Sequence, residues 1–466
     1  MIGWTLKRGG SVAPDERLPW PQTAALGVQH VFAMFGSTVL APALMGFDAN
    51  AAILFSGIGT ILFFLVVGGR IPSYLGSSFS FIAVVIAATG YAGHGPNANI
   101  AVALGGIFAA GLLYALIGAI VMLAGYGWVE RLMPPVVTGA VVAVIGLNLA
   151  PVAIRDLGAS SFDSAVGLAT ALATGLVAVY APGVLRRLPV LLGAVLGYVL
   201  FALAANGLGL GRPIDFGPIA AAPWIGLPHF SAPVFHAQAI TLIAPVAVVL
   251  VAENLGHVKA VAAMTGRDLD PYLGRAFLGD GVATMIAASG GGTGVTTYAE
   301  NIGVMAVTRI YSTLVFLVAA AVAVLVGFSP KFGALVASIP PAVLGGMSIV
   351  LFGLIAATGA RIWVENRVDF ARSRNLLTAA IALTLGAGDL VLRLAGFGIG
   401  GIGTATLAAI VCYQLFRGDD GAAADRPVPG APFVGTAAAD AGAGAHPAPP
   451  GAETRSGTAR GSDAAL

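Results

Sequence analysis

Charge is scarce in this chain. Asp, Glu, Lys and Arg make up only 9% of its residues, against roughly 25% in a soluble globular domain. With 58% hydrophobic residues and a mean hydropathy of +0.91, it reads as a polytopic membrane protein. A net charge of +2 gives no basic surface for a nucleic acid. The single cysteine, Cys412, excludes an intrachain disulfide or a cysteine metal cluster. No H-E-x-x-H stretch occurs, so a zinc protease has no anchor. Gly386-Ala387-Gly388-Asp389 has the form of an intramembrane aspartyl protease motif, but the Tyr-Asp pair such enzymes use is missing. Asp389 reads instead as the outer end of a span near Arg393, and no enzymatic activity is expected. Residues 1–20 lack a continuous apolar core and carry Lys7, Arg8, Asp15, Glu16 and Arg17. No cleavable signal peptide is expected, and the first span is the first anchor.

What the chain has in quantity is apolar length. Windows of about 20 residues, enough to cross the hydrocarbon core, fit fourteen times: 24–46, 51–69, 73–90, 100–124, 133–150, 164–185, 188–207, 236–258, 275–290, 296–308, 312–328, 334–357, 375–390 and 398–416. With both termini cytoplasmic, the outside loops hold only Arg155, Arg212, Lys331 and Arg393 among the lysines and arginines up to Arg417. That asymmetry obeys the positive-inside rule. Residues 1–23 are then a cytoplasmic N-terminal segment. Residues 417–466, rich in Gly, Ala, Pro and Asp, read as a disordered cytoplasmic tail.

An internal echo supports the count. Met133-Pro134-Pro135-Val136-Val137-Thr138-Gly139 opens the fifth span, and Ile339-Pro340-Pro341-Ala342-Val343-Leu344-Gly345 opens the twelfth. An offset of seven inverts the second half relative to the first, as in many secondary transporters. It also pairs the third span with the tenth. Both are short and rich in glycine and hydroxyls: Ser73-Tyr74-Leu75-Gly76-Ser77-Ser78-Phe79-Ser80-Phe81 and residues 289–309. Two interrupted segments in equivalent places point to a transporter binding site.

The ionisable residues fall there. Glu300 lies inside the tenth span, where a charge costs from ~2.5 to more than 10 kcal/mol depending on how its surroundings relax. Glu253 and His257 in the eighth span are four apart, on one helix face, where they can hydrogen-bond and exchange a proton. The plainer readings are a structural carboxylate at the broken helix for Glu300 and a helix-end partner of Lys259 for Glu253. His30, inside the first span, is either a satisfied core residue or a functional one. His94, His229 and His236 fall in or beside loops. Phe79 and Tyr298 either stack on a planar ligand or simply pack.

Four blocks resemble the nucleobase–ascorbate transporters, also called nucleobase–cation symporters, and among them the bacterial uracil–proton symporters. They are Gln29-His30-Val31-Phe32-Ala33-Met34-Phe35-Gly36-Ser37-Thr38-Val39-Leu40, Ile71-Pro72-Ser73-Tyr74-Leu75-Gly76-Ser77-Ser78-Phe79, Ala252-Glu253-Asn254-Leu255-Gly256-His257 and Thr297-Tyr298-Ala299-Glu300-Asn301-Ile302-Gly303. The last continues to Thr308-Arg309, completing the family's signature, and the likeness runs from about residue 20 to 416. It implies an all-α membrane protein of 14 segments in two inverted sets of seven. A core domain (24–124 and 236–328) would work against a gate domain (133–207 and 334–416). Segments three and ten would each contain a short strand, and two chains would associate through the gates.

For the site, the resemblance implies substrate contacts from Glu253, Glu300, Phe79, Ala299 and Tyr298. It implies proton coupling through Glu253, His257, His30, Glu300 and Asn301, with the proton as coupling ion and no other cofactor. The chain departs from the family in having Ala299 where uracil carriers usually have Gly. It also has Gly292-Thr293-Gly294-Val295 in place of a proline-containing approach, which is expected to loosen that loop. The implied activity is import of uracil or a related pyrimidine across the inner membrane. The alternatives are a xanthine- or urate-type carrier of the same family, or a sulfate/bicarbonate-type anion carrier of the same plan. Glu300, where purine carriers often have Gln, favours a pyrimidine. An acidic site and a low-complexity tail disfavour an anion carrier.

Overall fold

The computed structural model describes residues 3–93, 95–183, 185–394 and 397–416. His94 and the 417–466 tail, Arg417 included, lie outside them. Of the eighteen α-helices and six short strands among the described residues, fourteen helices and two strands frame the site. The first half comprises α1 (Trp20–Met45), α2 (Ala49–Val66), β1 (Leu75–Ser77), α3 (Ile82–Thr89), α4 (Ile100–Ala124), α5 (Pro135–Leu157), α6 (Ser161–Tyr180) and α7 (Pro189–Ala202). The second half comprises α8 (Val246–Thr265), α9 (Leu273–Gly290), β2 (Val295–Thr297), α10 (Ala299–Thr308), α11 (Thr313–Gly327), α12 (Pro341–Glu365), α13 (Ser373–Ala387) and α14 (Gly401–Leu415). Among the described residues eight helices are long and apolar enough to cross a membrane, with α8 counted together with the short helix Ala237–Ile243 before it. The total is nine if α11 and the bent helix after it form one span.

Inside a bilayer the helices gain nothing from apolar burial against each other, so close packing of small residues holds them together. α5 and α12 make the most extensive contact, with glycines facing backbone: a Cβ on Gly146 would lie 2.2 Å from the Phe352 carbonyl oxygen. α4 packs along α9 and α2 along α11, while α6 packs on α7 and α13 on α14. Contacts between the α1–α4/α8–α11 group and the α5–α7/α12–α14 group are sparser.

The strands pair with each other, antiparallel, with Leu75 opposite Thr297, Gly76 opposite Thr296 and Ser77 opposite Val295. All six residues are buried. Non-helical backbone survives at this depth only with every group satisfied. Beyond the ladder, Thr60 on α2 accepts from the Leu75 amide (2.9 Å), and Thr284 on α9 accepts from the Val295 amide and donates to its carbonyl (3.1 Å each). Gly76 cannot be larger, since a Cβ there would meet the Tyr298 ring at 2.4 Å.

Several expected span limits shift: the fifth and eighth run on to Leu157 and Thr265 instead of ending at 150 and 258, and the twelfth and fourteenth begin later than expected. The twelfth, expected over 334–357, is α12 at Pro341–Glu365. The apolar stretch before it is a separate helix, Pro330–Ala337, bent 82° from α11. Pro340 holds an extended backbone (ψ 145°) and Pro341 opens the helix, so the stretch cannot run on as one rod. The fourteenth, expected from residue 398, starts at Gly401, because Phe397–Ile399 pairs as a hairpin with Leu392–Leu394. Asp389 follows α13 as expected, where it accepts a hydrogen bond from Asn148 Nδ2 on α5 (3.0 Å).

Candidate functional site

The strand pair delivers two helix starts to one place. Directly after β1 the chain turns at Ser78 and winds through Phe79–Phe81 into α3. Directly after β2, Tyr298 is extended and α10 begins at Ala299. Amides in a first helical turn have no intrahelical acceptor, and the helix dipole adds partial positive charge there. Between these two starts, and against α5, α8 and α12, lies a cavity of about 90 Å³ open to the centres of water-sized spheres. One water needs roughly 10–15 Å³ on that measure, so there is room for a small planar molecule.

Glu253, His257, Phe79, Tyr298, Ala299 and Glu300 all line this cavity. Each carboxylate is held by serine hydroxyls from the first half of the chain. Ser37 on α1 donates to Glu300 Oε1, and Ser78 and Ser80 donate to Glu253 Oε2 at 3.4 Å each. The plainer reading of Glu253 fails, because Lys259 pairs instead with Asp270 (2.6 Å) and Glu130 (2.8 Å). The expected Glu253–His257 hydrogen bond is replaced by separate partners. His257 Nδ1 lies 2.9 Å from Thr297 Oγ1, whose hydroxyl donates to Asn254 Oδ1 (3.4 Å).

The Tyr298 ring borders the cavity, but its hydroxyl donates to the Ser77 carbonyl (2.8 Å) and accepts from Thr38 (3.3 Å). Phe79 stands edge-on to Phe352 of α12, with ring centroids 6.0 Å apart. His30 and Asn301 do not line the cavity. They are buried against each other, Asn301 Nδ2 donating to His30 Nδ1 (2.9 Å) and to the His30 carbonyl (3.1 Å), which ties α1 to α10. The loop expected to be loose is pinned. Thr293 and Ser77 hydroxyls are 2.5 Å apart, and the Gly294 carbonyl accepts from the Ser78 amide (2.9 Å).

Sequence reasoning missed the serines and one buried acid. Asp280 on α9 is fully buried, and its Oδ2 accepts from Asn254 Nδ2 at 2.6 Å. Through Asn254 it connects to Thr297, His257 and the cavity. Its signal was visible, a single acid in the run Leu273-Gly274-Arg275-Ala276-Phe277-Leu278-Gly279-Asp280 of an apolar helix, the same signal that marked Glu300.

Comparison with known proteins bears on this arrangement. Residues 21–394 match the Xan_ur_permease model, described as a permease family. The putative pyrimidine permease RutG of Escherichia coli K12 is 62% identical over 88% of this chain and 94% of its own length. The uracil permease of Bacillus caldolyticus is 43% identical over 85% of this chain and 92% of its own. Among solved structures, the transmembrane domain of a cyanobacterial bicarbonate transporter, BicA, superposes with a TM-score of 0.52 at 17% identity, covering 84% of this chain and 97% of that one. Murine Slc26a9, an anion transporter in its inward-facing state, gives 0.60 at 12% identity, covering 85% and 68%. At those identities the likeness is one of fold alone. The chain is an integral membrane transporter, not an enzyme, and it belongs to the permease family of the nucleobase–ascorbate transporters.

Proposed function

We propose that this protein imports uracil or a closely related pyrimidine base together with a proton. The observation that carries the reading is the convergence of Glu253 and Glu300 on one small cavity, beside helix-start amides, His257 and hydroxyl side chains that include Ser78 and Thr297. A pyrimidinedione is flat and neutral, with N–H and C=O groups alternating along its rim. Carboxylates accept from ring N–H, amides beside Phe79 and at Ala299 donate to ring carbonyls, and the Phe79 ring covers the base. Two relatives whose names specify a pyrimidine or uracil, at 62% and 43% identity, support the same substrate class. A neutral base gains nothing from the membrane potential, whereas a proton carried with it supplies ~2.3 kcal/mol per 100 mV. Protonation from outside at Glu253 would precede binding, and return of that proton inside would release the base.

The reading includes fourteen segments in two inverted sets of seven, in the inner membrane with both termini cytoplasmic. Two observations support the inversion. Thr60 on α2 and Thr284 on α9, seven segments apart, bond the first residue of β1 and of β2 in the same way. Helix contacts also recur under the exchange: α4 with α9 answers α2 with α11, α1 with α11 answers α8 with α4, and α6 with α12 answers α13 with α5. The domains α1–α4 with α8–α11 and α5–α7 with α12–α14 are then core and gate, the cavity lies between them, and two chains would meet through gate helices.

Uptake of labelled uracil by a permease-deficient host, competed with thymine, xanthine and urate at two external pH values, tests the function. Saturable uptake that uracil competes best and that rises as external pH falls is expected. Uptake indifferent to pH removes the proton, and competition led by xanthine or urate removes the pyrimidine.

A further inference from the structure

The cavity has two unlike walls, and the contacts proposed above use only one. Every lining group with a charge comes from the core: Glu253, Glu300 and, when protonated, His257. The gate contributes Thr138, Val142 and Ile145 on α5, and Ile355, Thr358 and Ile362 on α12. Their spacings, i, i+4, i+7 and i, i+3, i+7, place each triplet along one face of its helix. Both threonines spend their protons on nearby backbone carbonyls of their own chain segments. Thr138 donates to the Met133 carbonyl (3.0 Å) and Thr358 to the Leu354 carbonyl (2.8 Å). The gate wall therefore offers no free donor, and its four other side chains are branched aliphatics.

We propose that Val142, Ile145 and Ile355 receive the apolar C5–C6 edge of the bound pyrimidine and thereby decide which 5-substituents are carried. The inference rests on the pyrimidine reading of the site. A pyrimidine-2,4-dione carries its N–H and C=O groups at four consecutive ring positions and C–H at the other two. When the polar positions meet carboxylates and amides of the core, C5 and C6 face the opposite wall. A purine fuses an imidazole ring at that edge, with an N–H and a bare nitrogen that the aliphatic wall leaves unpaired. Core chemistry thus recognises the shared dione, and the gate separates bases by what they carry on the far side.

The test compares kcat/KM for thymine, which adds a methyl at C5, with that for uracil. It uses whole-cell uptake by the wild type and by Val142→Ala, Ile145→Ala and Ile355→Ala, normalised to the amount of each variant in the membrane. One methylene in an apolar pocket is worth about 10–200-fold, so the thymine-to-uracil ratio is expected to rise about tenfold or more in at least one variant. Ile355→Val and Ile145→Val, which remove less, are expected to shift the ratio in the same direction by less. They stand in for any alanine variant that fails to insert. Displacement of labelled uracil from purified protein by 5-bromouracil gives a second reading without transport. A wild-type ratio in every inserted variant, with uracil uptake retained, overturns the proposal. Absence of uracil uptake by the wild type instead overturns the pyrimidine reading beneath it.

Discussion

The two broken segments at the centre of this protein share a backbone plan and differ in chemistry. Each runs strand, turn, helix start, and each has a threonine from a neighbouring helix bonding its first strand residue. The segment after β1 brings hydroxyls and an aromatic ring, Ser78, Phe79 and Ser80. The one after β2 brings a carboxylate, Glu300. The flanking helices repeat the difference, with Ser37 on α1 and Glu253 on α8. The second half supplies both acids and the first half supplies the hydroxyls that orient them. Two segments on one backbone plan thus divide the work, charge from the second half of the chain and positioning from the first.

Breaking the comparison from the acidic side has the largest effect. Glu300→Gln keeps the shape and loses the charged acceptor, and a charge-assisted hydrogen bond is worth about 1.5–3 kcal/mol. Uracil kcat/KM is expected to fall on the order of 10–100-fold, read by initial uptake rates. Glu253→Gln is expected to abolish accumulation driven by a pH gradient in proteoliposomes while sparing uracil exchange. Undiminished gradient-driven accumulation would refute its coupling role. The positioning side gives less. Ser37→Ala leaves the acid in place without its donor, so KM rises about tenfold, while the Ser78 and Ser80 contacts, at 3.4 Å, give smaller changes when removed singly. Smallest for transport is Asn301→Ala, which unties α10 from α1 away from the cavity. Its expected signature is a loss of about 1–3 kcal/mol of stability, seen as a lower Tm, with uracil KM nearly unchanged.

Much of this was legible in the sequence because the bilayer narrows the options. Long apolar runs placed most helices within a few residues, the glycine- and hydroxyl-rich third and tenth segments marked where the helices break, and the family resemblance put a short strand in each. Isolated acids in apolar surroundings marked the cavity. What was not legible depended on partners distant in sequence. Spacing placed Glu253 and His257 on one face, but it did not show that Ser78, Ser80 and Thr297 would reach them first. The glycines at 292 and 294 suggested slack, whereas Ser77 and Ser78, more than 200 residues away in sequence, pin that loop. The misplaced twelfth segment has a local cause. Hydropathy reads 334–340 as membrane, while Pro340 and Pro341 set the helix start that the paired-proline echo itself had marked.

The most direct measurement is uracil affinity, by calorimetric titration of purified wild type, Glu253→Ala, Glu300→Gln and the double variant. Two carboxylates gripping one base predict that each single change raises Kd at least about tenfold and that the two effects do not simply add, as for residues sharing one partner. Wild-type affinity in either single variant would contradict the account.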